Sequence, residues 1–368
     1  MWDKTSLSWT SFTLLFAGSL LASCQIAEDE LTVLPEGPVK VVLRVPENFP
    51  EPVVMETNPL TEEGILLGSV LFHDPSISAN GAVSCASCHE QQKAFSDGVA
   101  IGQHGVSGLP LERHSPALIN VAWMDNGLFW DGGSKNLESQ AFGPFTHADE
   151  MGMSLQELED RLGADPVYVD LFSRAFEDGV NVQNAAKALA QFQRTLISSN
   201  SRYDRFARGE KGGSLNDREL KGLALVRKHC GNCHEGELFT DNLYHNNGLD
   251  NDFSDVRNEM IHLGRYRISF RPDDIGAFKT PTLRNIMVTA PYMHDGRFDK
   301  IEDVLHHYAE GVKDAGTTSS LLYSTDGKVG IPLSKEDKED IVAFLHTLTD
   351  SSFLNRPILS PFNYHSNN

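Results

Sequence analysis

Basic residues are scarce in this sequence. Its 31 Lys and Arg are outnumbered by 51 Asp and Glu, which gives a formal net charge of −20. A surface this acidic repels a phosphate backbone, so nucleic acid is excluded as a partner. The same charge suits a small basic redox partner steered onto the surface, and equally suits simple solubility. Apolar length is lacking too: the run at residues 11–23, preceded by Lys4, is too short to span a bilayer and has the length of a signal-peptide core. Strand alternation is confined to residues 39–45, which leaves no basis for a sheet-built fold. Cysteine is sparse, at five residues: Cys24, Cys85, Cys88, Cys230 and Cys233.

Four of those five cysteines fall into two clusters. Ser84-Cys85-Ala86-Ser87-Cys88-His89 and Cys230-Gly231-Asn232-Cys233-His234 each have two cysteines separated by two residues, with a histidine directly after the second. That is the attachment signature of a c-type haem, in which the cysteines form thioethers to the porphyrin and the histidine reaches the iron. Zinc is the competing reading, as is a redox dithiol. Zinc asks for four S or N ligands, and neither cluster has a second pair nearby. Two covalent haem c groups follow, one in each half of the chain. A haem with a sixth protein ligand favours electron transfer, and one with an open face favours chemistry.

Helical patterns fill much of the rest. Residues 182–196 put Val182, Ala185, Ala186, Leu189, Phe192 and Leu196 on one face. Residues 299–311 do the same with Ile301, Val304, Leu305 and Tyr308, and Gly311 is placed as a C-cap. Ser334 and Asp337 form a capping-box pattern ahead of a last helix carrying Ile341, Phe344, Leu345 and Leu348. The expected fold is mostly α, with two cytochrome c-like haem domains and long loops. The expected division is a leader at 1–23, a tether at 24–58, a first haem domain at 59–199, a second at 200–352 and a tail at 353–368.

The leader carries its own signal. Leu21-Ala22-Ser23-Cys24 is similar to a bacterial lipobox, which makes Cys24 a candidate lipidation site. An ordinary signal peptide leaving a free thiol is the alternative. Either reading takes the chain out of the cytoplasm, to the periplasm or, as Gln25 favours, the outer membrane of a Gram-negative envelope. The acidic, proline-bearing segment that follows reads as the tether.

A second group of residues follows the first haem motif. Trp130 lies in Phe129-Trp130-Asp131-Gly132-Gly133, Pro144 lies 14 residues on and Glu150 lies 20 on. Singly, these read as a core aromatic, a turn residue and a solvated carboxylate. Together with the stretches "LGSVLFHDPSISANGAVSCASCH", "FSDG", "RHSPALIN", "FWDGGSKNLESQAFGPF", "CGNCHEGELFTDN", "FKTPTLRN" and "APYMHDGRF", the chain resembles the bacterial di-haem cytochrome c peroxidases and the related MauG enzymes. The matching stretches span residues 59–350 in order.

The resemblance implies roles. Trp130 would relay electrons between the two haems, Glu150 would be the distal acid/base over the first, and Pro144 would line that pocket. It implies a peroxidatic first haem and an electron-supplying second one. His104, in Ile101-Gly102-Gln103-His104, stands one residue short of the family's resting sixth ligand to the first haem, with a solvent-facing loop histidine as the alternative. Tyr308 stands where peroxidases place a methionine and MauG a tyrosine on the second iron. Packing on its helix face is the other reading of Tyr308, and Met293 is the other candidate ligand. A phenolate is hard and anionic, favours Fe(III) and would lower the potential. One Ca²⁺ is a candidate third cofactor, held by backbone oxygens at Thr289 and Pro291. His114 replaces the expected asparagine, however, and imidazole offers calcium no oxygen.

The leading function on these grounds is peroxide reduction with electrons from a small cytochrome c or cupredoxin. MauG-like oxidation of a protein or organic substrate is a second reading, and a membrane-tethered electron carrier a third. The candidate partners are hydrogen peroxide, that donor, a membrane through the lipid anchor and a second copy of the chain in a homodimer.

Overall fold

The computed structural model describes residues 37–53, 55–254 and 262–360. The leader, Cys24 and the first part of the tether therefore lie outside the described residues. Among the described residues no helix is long and apolar enough to cross a membrane.

Helices carry the architecture, joined by long loops. In the first half these are α1 (Glu62–His73), α2 (Leu137–Gln140), α3 (Phe142–Thr146), α4 (Leu155–Ala164), α5 (Pro166–Ala175) and α6 (Val182–Arg194). In the second half they are α7 (Arg202–Ala207), α8 (Asp217–His229), and the helices Ile301–His306 and Lys335–His346. Each long helix starts where a side chain satisfies the free N–H groups of its first turn. Thr61 accepts from the Gly64 N–H at α1, Asn181 from Asn184 at α6, Asn216 from Glu219 at α8, and Ser334 from Asp337 at the last helix. The only strands among the described residues are β1 (Tyr244–His245) and β2 (Phe278–Lys279), antiparallel, with Tyr244 opposite Lys279 and His245 opposite Phe278.

Two apolar cores form. The first gathers Leu67, Leu71 and Phe72 of α1, Leu171 and Phe172 of α5, and Ala185, Leu189 and Phe192 of α6. The second gathers Leu223 and Val226 of α8, Ile301, Leu305, Ile341, Phe344 and Leu345. Both use the same device at their central helix pair. A Cβ on Gly68 of α1 would come within 2.0 Å of the Ala188 carbonyl of α6, and one on Gly222 of α8 within 2.0 Å of the Asp340 carbonyl. Only glycine lets the two backbones meet so closely.

Three expectations need correction. Residues 37–58 do not hang free as a tether: Phe49 is buried against Trp123, the Trp123 indole N–H donates to the Pro50 carbonyl, and Asn48 donates to Asp204. The apolar side chains in that acidic stretch have a core to join. Residues 39–45 form no strand, only the isolated bridge of Lys40 to Thr61. Residues 353–360 are not a loose tail, since Phe353, Leu354 and Leu359 return to the first core, and Gln91 holds the carbonyls of Phe353 and Arg356.

Candidate active site

The first cysteine cluster opens on a cavity. Cys85–Ser87 is a single 3₁₀ turn, with Ser84 at its N-cap, that sets both thiols on the wall of a cavity. His89 joins them on that wall. Its Nδ1 donates to the Phe95 carbonyl at 2.7 Å, and a carbonyl can only accept. Burial holds the ring below the usual histidine pKa, so it is neutral. A neutral ring protonated at Nδ1 carries its lone pair on Nε2, the form that ligates a metal. Both thiols are free, and burial pushes each up to about 12.

The same cavity is lined by Pro144 of α3 and by Glu150. The loop after α3 turns back on itself through Glu150 N–H to His147 O and Met151 N–H to Pro144 O, which brings the two residues to one wall. Glu150 keeps 36% of its side-chain surface accessible and lies 3.9 Å from the His147 ring. Burial raises its pKa above the ordinary carboxylate value, His147 lowers it and Asp149 raises it. Apolar Phe72, Leu111, Leu118, Phe145, Met151 and Leu189 make up much of the rest.

His104 is not brought into this wall. It is exposed, while its neighbour Gly105 lines the cavity. Its loop is pinned to the acid's own backbone, because the Val106 N–H donates to the Glu150 carbonyl at 2.8 Å.

The second cluster repeats the first. Cys230 caps α8, whose last turn places the cations Arg227 and Lys228 at the helix's negative end. His234 donates through Nδ1 to the Phe239 carbonyl at 3.1 Å and is likewise held neutral by burial. The expected helix over 299–311 divides: it is α to His306 and becomes a π-turn at His307–Gly311, a wider coil found disproportionately at functional sites. Gly311 therefore does not cap it in the left-handed form. Tyr308 lies in this turn. Burial pushes its phenol up to about 12, the Cys233 and Cys230 thiols nearby add to that, and a hydrogen bond from Asn247 opposes it. Asn247 also donates to the Met293 sulfur at 3.4 Å.

Trp130 is stitched to both halves. Its indole N–H donates to the His114 carbonyl at 2.8 Å, and its own carbonyl accepts from the Lys279 N–H of β2 at 2.8 Å. His114 is buried with Nδ1 on the Val99 carbonyl and Nε2 near the Ser96 hydroxyl. Both ring nitrogens are engaged and neither is an oxygen, so His114 does not fit a calcium ligand. Thr289 and Pro291 follow the 3₁₀ turn Ile286–Val288 with backbone oxygens to offer. The zinc reading fares no better: among the described residues one group has metal-ligand geometry, Cys233 with Asp241 and His245, one ligand short of a closed site.

Comparison with known proteins agrees with this arrangement. Residues 62–212 match the family described as di-haem cytochrome c peroxidase. The methylamine utilization protein MauG of Methylorubrum extorquens is 36% identical over 342 residues, covering 90% of this chain and 89% of that protein. The chain belongs to the di-haem cytochrome c peroxidase family. Another member, the cytochrome c551 peroxidase of Nitrosomonas europaea, is 31% identical and covers 86% of this chain and 89% of its own. Among solved structures, a MauG-like protein associated with microbial copper homeostasis superposes with a TM-score of 0.77 at 33% identity, over 86% of this chain and 97% of that one.

Membership of the di-haem peroxidase family implies two covalent haem c groups, and both clusters fit them: paired free thiols and a neutral histidine protonated away from its metal-binding nitrogen. Denatured mature protein should therefore keep two haems through acid extraction, and a mass showing one or none would end the di-haem reading. Some residues at the site went unnoticed in the sequence. Gln140 and Gln193 line the cavity, and the Gln193 side-chain amide oxygen Oε1 is buried without a hydrogen-bond partner. Gln140 stood inside a quoted motif, whereas Gln193 and Asn247 carried no local signal.

Proposed function

We propose that this protein reduces hydrogen peroxide to water at the first haem, with electrons received through the second from a small cytochrome c or cupredoxin. The observation that carries this reading is the shared cavity of Cys85, Cys88, His89, Pro144 and Glu150. When bound, the haem supplies an iron centre at which peroxide is reduced. His89 would hold that iron from one side, its orientation kept by the Phe95 carbonyl. Glu150 would take the proton from the near oxygen of peroxide and deliver it to the leaving one, as a positioned carboxylate can. Trp130 would conduct charge between the halves. A pure electron carrier needs no such acid, which argues against that alternative.

Glu150 must be ionised to accept a proton, so activity should fall as pH drops through its pKa, which burial sets above the ordinary carboxylate value. A positive His147 lowers that pKa. His147→Ala should thus move the acid limb of the kcat/KM profile to higher pH, and an unmoved limb would remove Glu150 from the rate law.

A second reading, MauG-like oxidation of a protein or organic substrate, is favoured by the Tyr308 phenol beside the second cluster's thiols. Mixing holoprotein with peroxide and reduced cytochrome c separates the two: rapid donor oxidation supports the peroxidase, and its absence, with peroxide consumed, supports the second reading. The exposed His104 supports a first haem that needs no ligand release. In this reading the leader exports the chain to the periplasm or outer membrane, with Cys24 carrying lipid. A bridging Ca²⁺ at Thr289 and Pro291 and a homodimer belong to the same proposal, the calcium weakened by His114. The division at residues 200–352 from 59–199 is supported by the two separate cores.

A further inference from the structure

We propose that Gln193 binds the peroxide at the first haem, its side-chain amide hydrogen-bonding the substrate from the α6 wall of the cavity that Glu150 also lines. The inference rests on the reading of that cavity as the site of peroxide reduction, and adds a residue that no local motif marks.

Three polar side chains are buried together near the end of α6: Gln191, Gln193 and Arg194. Two of them are paired. Gln191 Oε1 accepts from the Thr61 N–H at 2.9 Å, and its Nε2 donates to Asn58 Oδ1 at 2.9 Å. Arg194 donates from both terminal nitrogens to the Glu138 carboxylate of α2, at 2.7 Å and 3.0 Å. Gln193 is the exception. Only 4% of it is exposed, and its Oε1 has no hydrogen-bond partner among the described residues. Of the three, it is also the one that lines the cavity of Cys85, Cys88, His89 and Glu150.

A buried amide without a partner gives up its water and gains nothing in return, so packing alone does not account for it. Leu189, one turn earlier on α6, fills its share of the same wall with an apolar side chain. The backbone beneath Gln193 is anchored as well: the adjacent Arg194 is clamped to Glu138, whose carboxylate also accepts from Asn58 at 2.7 Å. What the cavity has to supply is therefore a small hydrogen-bonding ligand. Hydrogen peroxide has O–H donors and lone pairs, so it answers an amide whichever end is presented. A haem propionate carboxylate only accepts and cannot satisfy an amide oxygen. An amide is also not titratable, which lets Gln193 orient the peroxide while the proton transfer stays with Glu150.

The test uses the holoprotein with Gln193→Met and Gln193→Leu, which keep most of the volume and lose the amide. Because the Oε1 bond they remove does not exist within the protein, both variants should carry two haems and melt at or above the wild-type temperature. Their KM for peroxide should rise roughly 3- to 10-fold with kcat changed less, the scale of one neutral hydrogen bond to the substrate. Carbon monoxide on the reduced first haem gives a readout apart from turnover: its C–O stretch should shift in both variants as the amide dipole leaves the pocket. Variants with the wild-type KM and C–O stretch, while Glu150→Gln loses turnover, overturn the role of Gln193 alone. Both variants melting well below wild type overturn it too, by showing that the amide serves the fold. A wild-type holoprotein that consumes no peroxide overturns the reading of the cavity, and the role of Gln193 with it.

Discussion

Glu150→Gln should lower turnover with peroxide by roughly 10²-fold or more, the usual scale for losing a general acid/base, and leave both haems attached. Glutamine keeps the shape and cannot accept the proton. The backbone that holds the position is indifferent to the change, since the Glu150 N–H goes to His147 O and its carbonyl accepts from Val106. The cavity wall and the neighbouring loop are thereby preserved, and the loss should appear in kcat more than in KM. The acid limb attributed to the raised carboxylate should disappear in the variant. Steady-state rates with a reduced cytochrome c check this. Near-normal turnover would make Glu150 an ordinary carboxylate at the cavity mouth.

Arg284→Met should cost about 3–5 kcal/mol of stability, the scale for leaving one charge of a buried pair unpaired. The pair is Arg284 with Asp204. Both side chains are fully buried, joined by bonds of 2.8 Å and 3.0 Å. Arg284 also donates to the Glu237 carbonyl at 2.8 Å and lies 4.4 Å from the Phe49 ring centre. It therefore ties the once-expected tether to the loop whose Phe239 carbonyl orients His234. Burial would push Asp204 up, but Arg284 more than reverses it and the carboxyl sits below its usual range. A depressed folded pKa gives stability that is present above the unfolded value of about 4 and is lost as pH falls through the folded one. The variant should lack that dependence. Denaturant melts at neutral pH and at progressively lower pH measure both effects. A loss under about 1 kcal/mol would show that the donors of Ser201 and Asn48 satisfy Asp204 alone.

Much of the site could be read from the chain because its chemistry is local. A thioether pair and its histidine must be contiguous to reach one porphyrin, so Cys85, Cys88 and His89 announce themselves, as do Cys230, Cys233 and His234. Caps and helix faces are local too: Ser334 with Asp337, and the buried side of α6, follow from spacing within a few turns. Trp130, Pro144 and Glu150 were legible only through resemblance, and the fold brings two of them, Pro144 and Glu150, to one cavity.

What the chain order could not convey is which distant backbone meets which side chain. The Phe95 and Phe239 carbonyls that fix the histidine tautomers depend on how each loop closes. The return of Phe353 and Leu359 to the first core, and the burial of Phe49, were hidden by their polar neighbours, because burial depends on an available cavity rather than on mean composition. The π-turn at His307–Gly311 leaves the apolar spacing of its helix intact while changing its coil, so only the coordinates reveal it. Asn247 shows the same limit. An amide has no periodicity, and its meaning arises only where folding brings Met293 within its reach. Sequence by itself determined the cofactor, the family and the faces of α6 and of the helix Lys335–His346, since these rest on short-range covalent and spacing rules. Tertiary structure alone decided the shared cavity, the exposed position of His104 and the contacts around the second haem's candidate ligands, since these rest on surfaces that exist only once distant segments have packed.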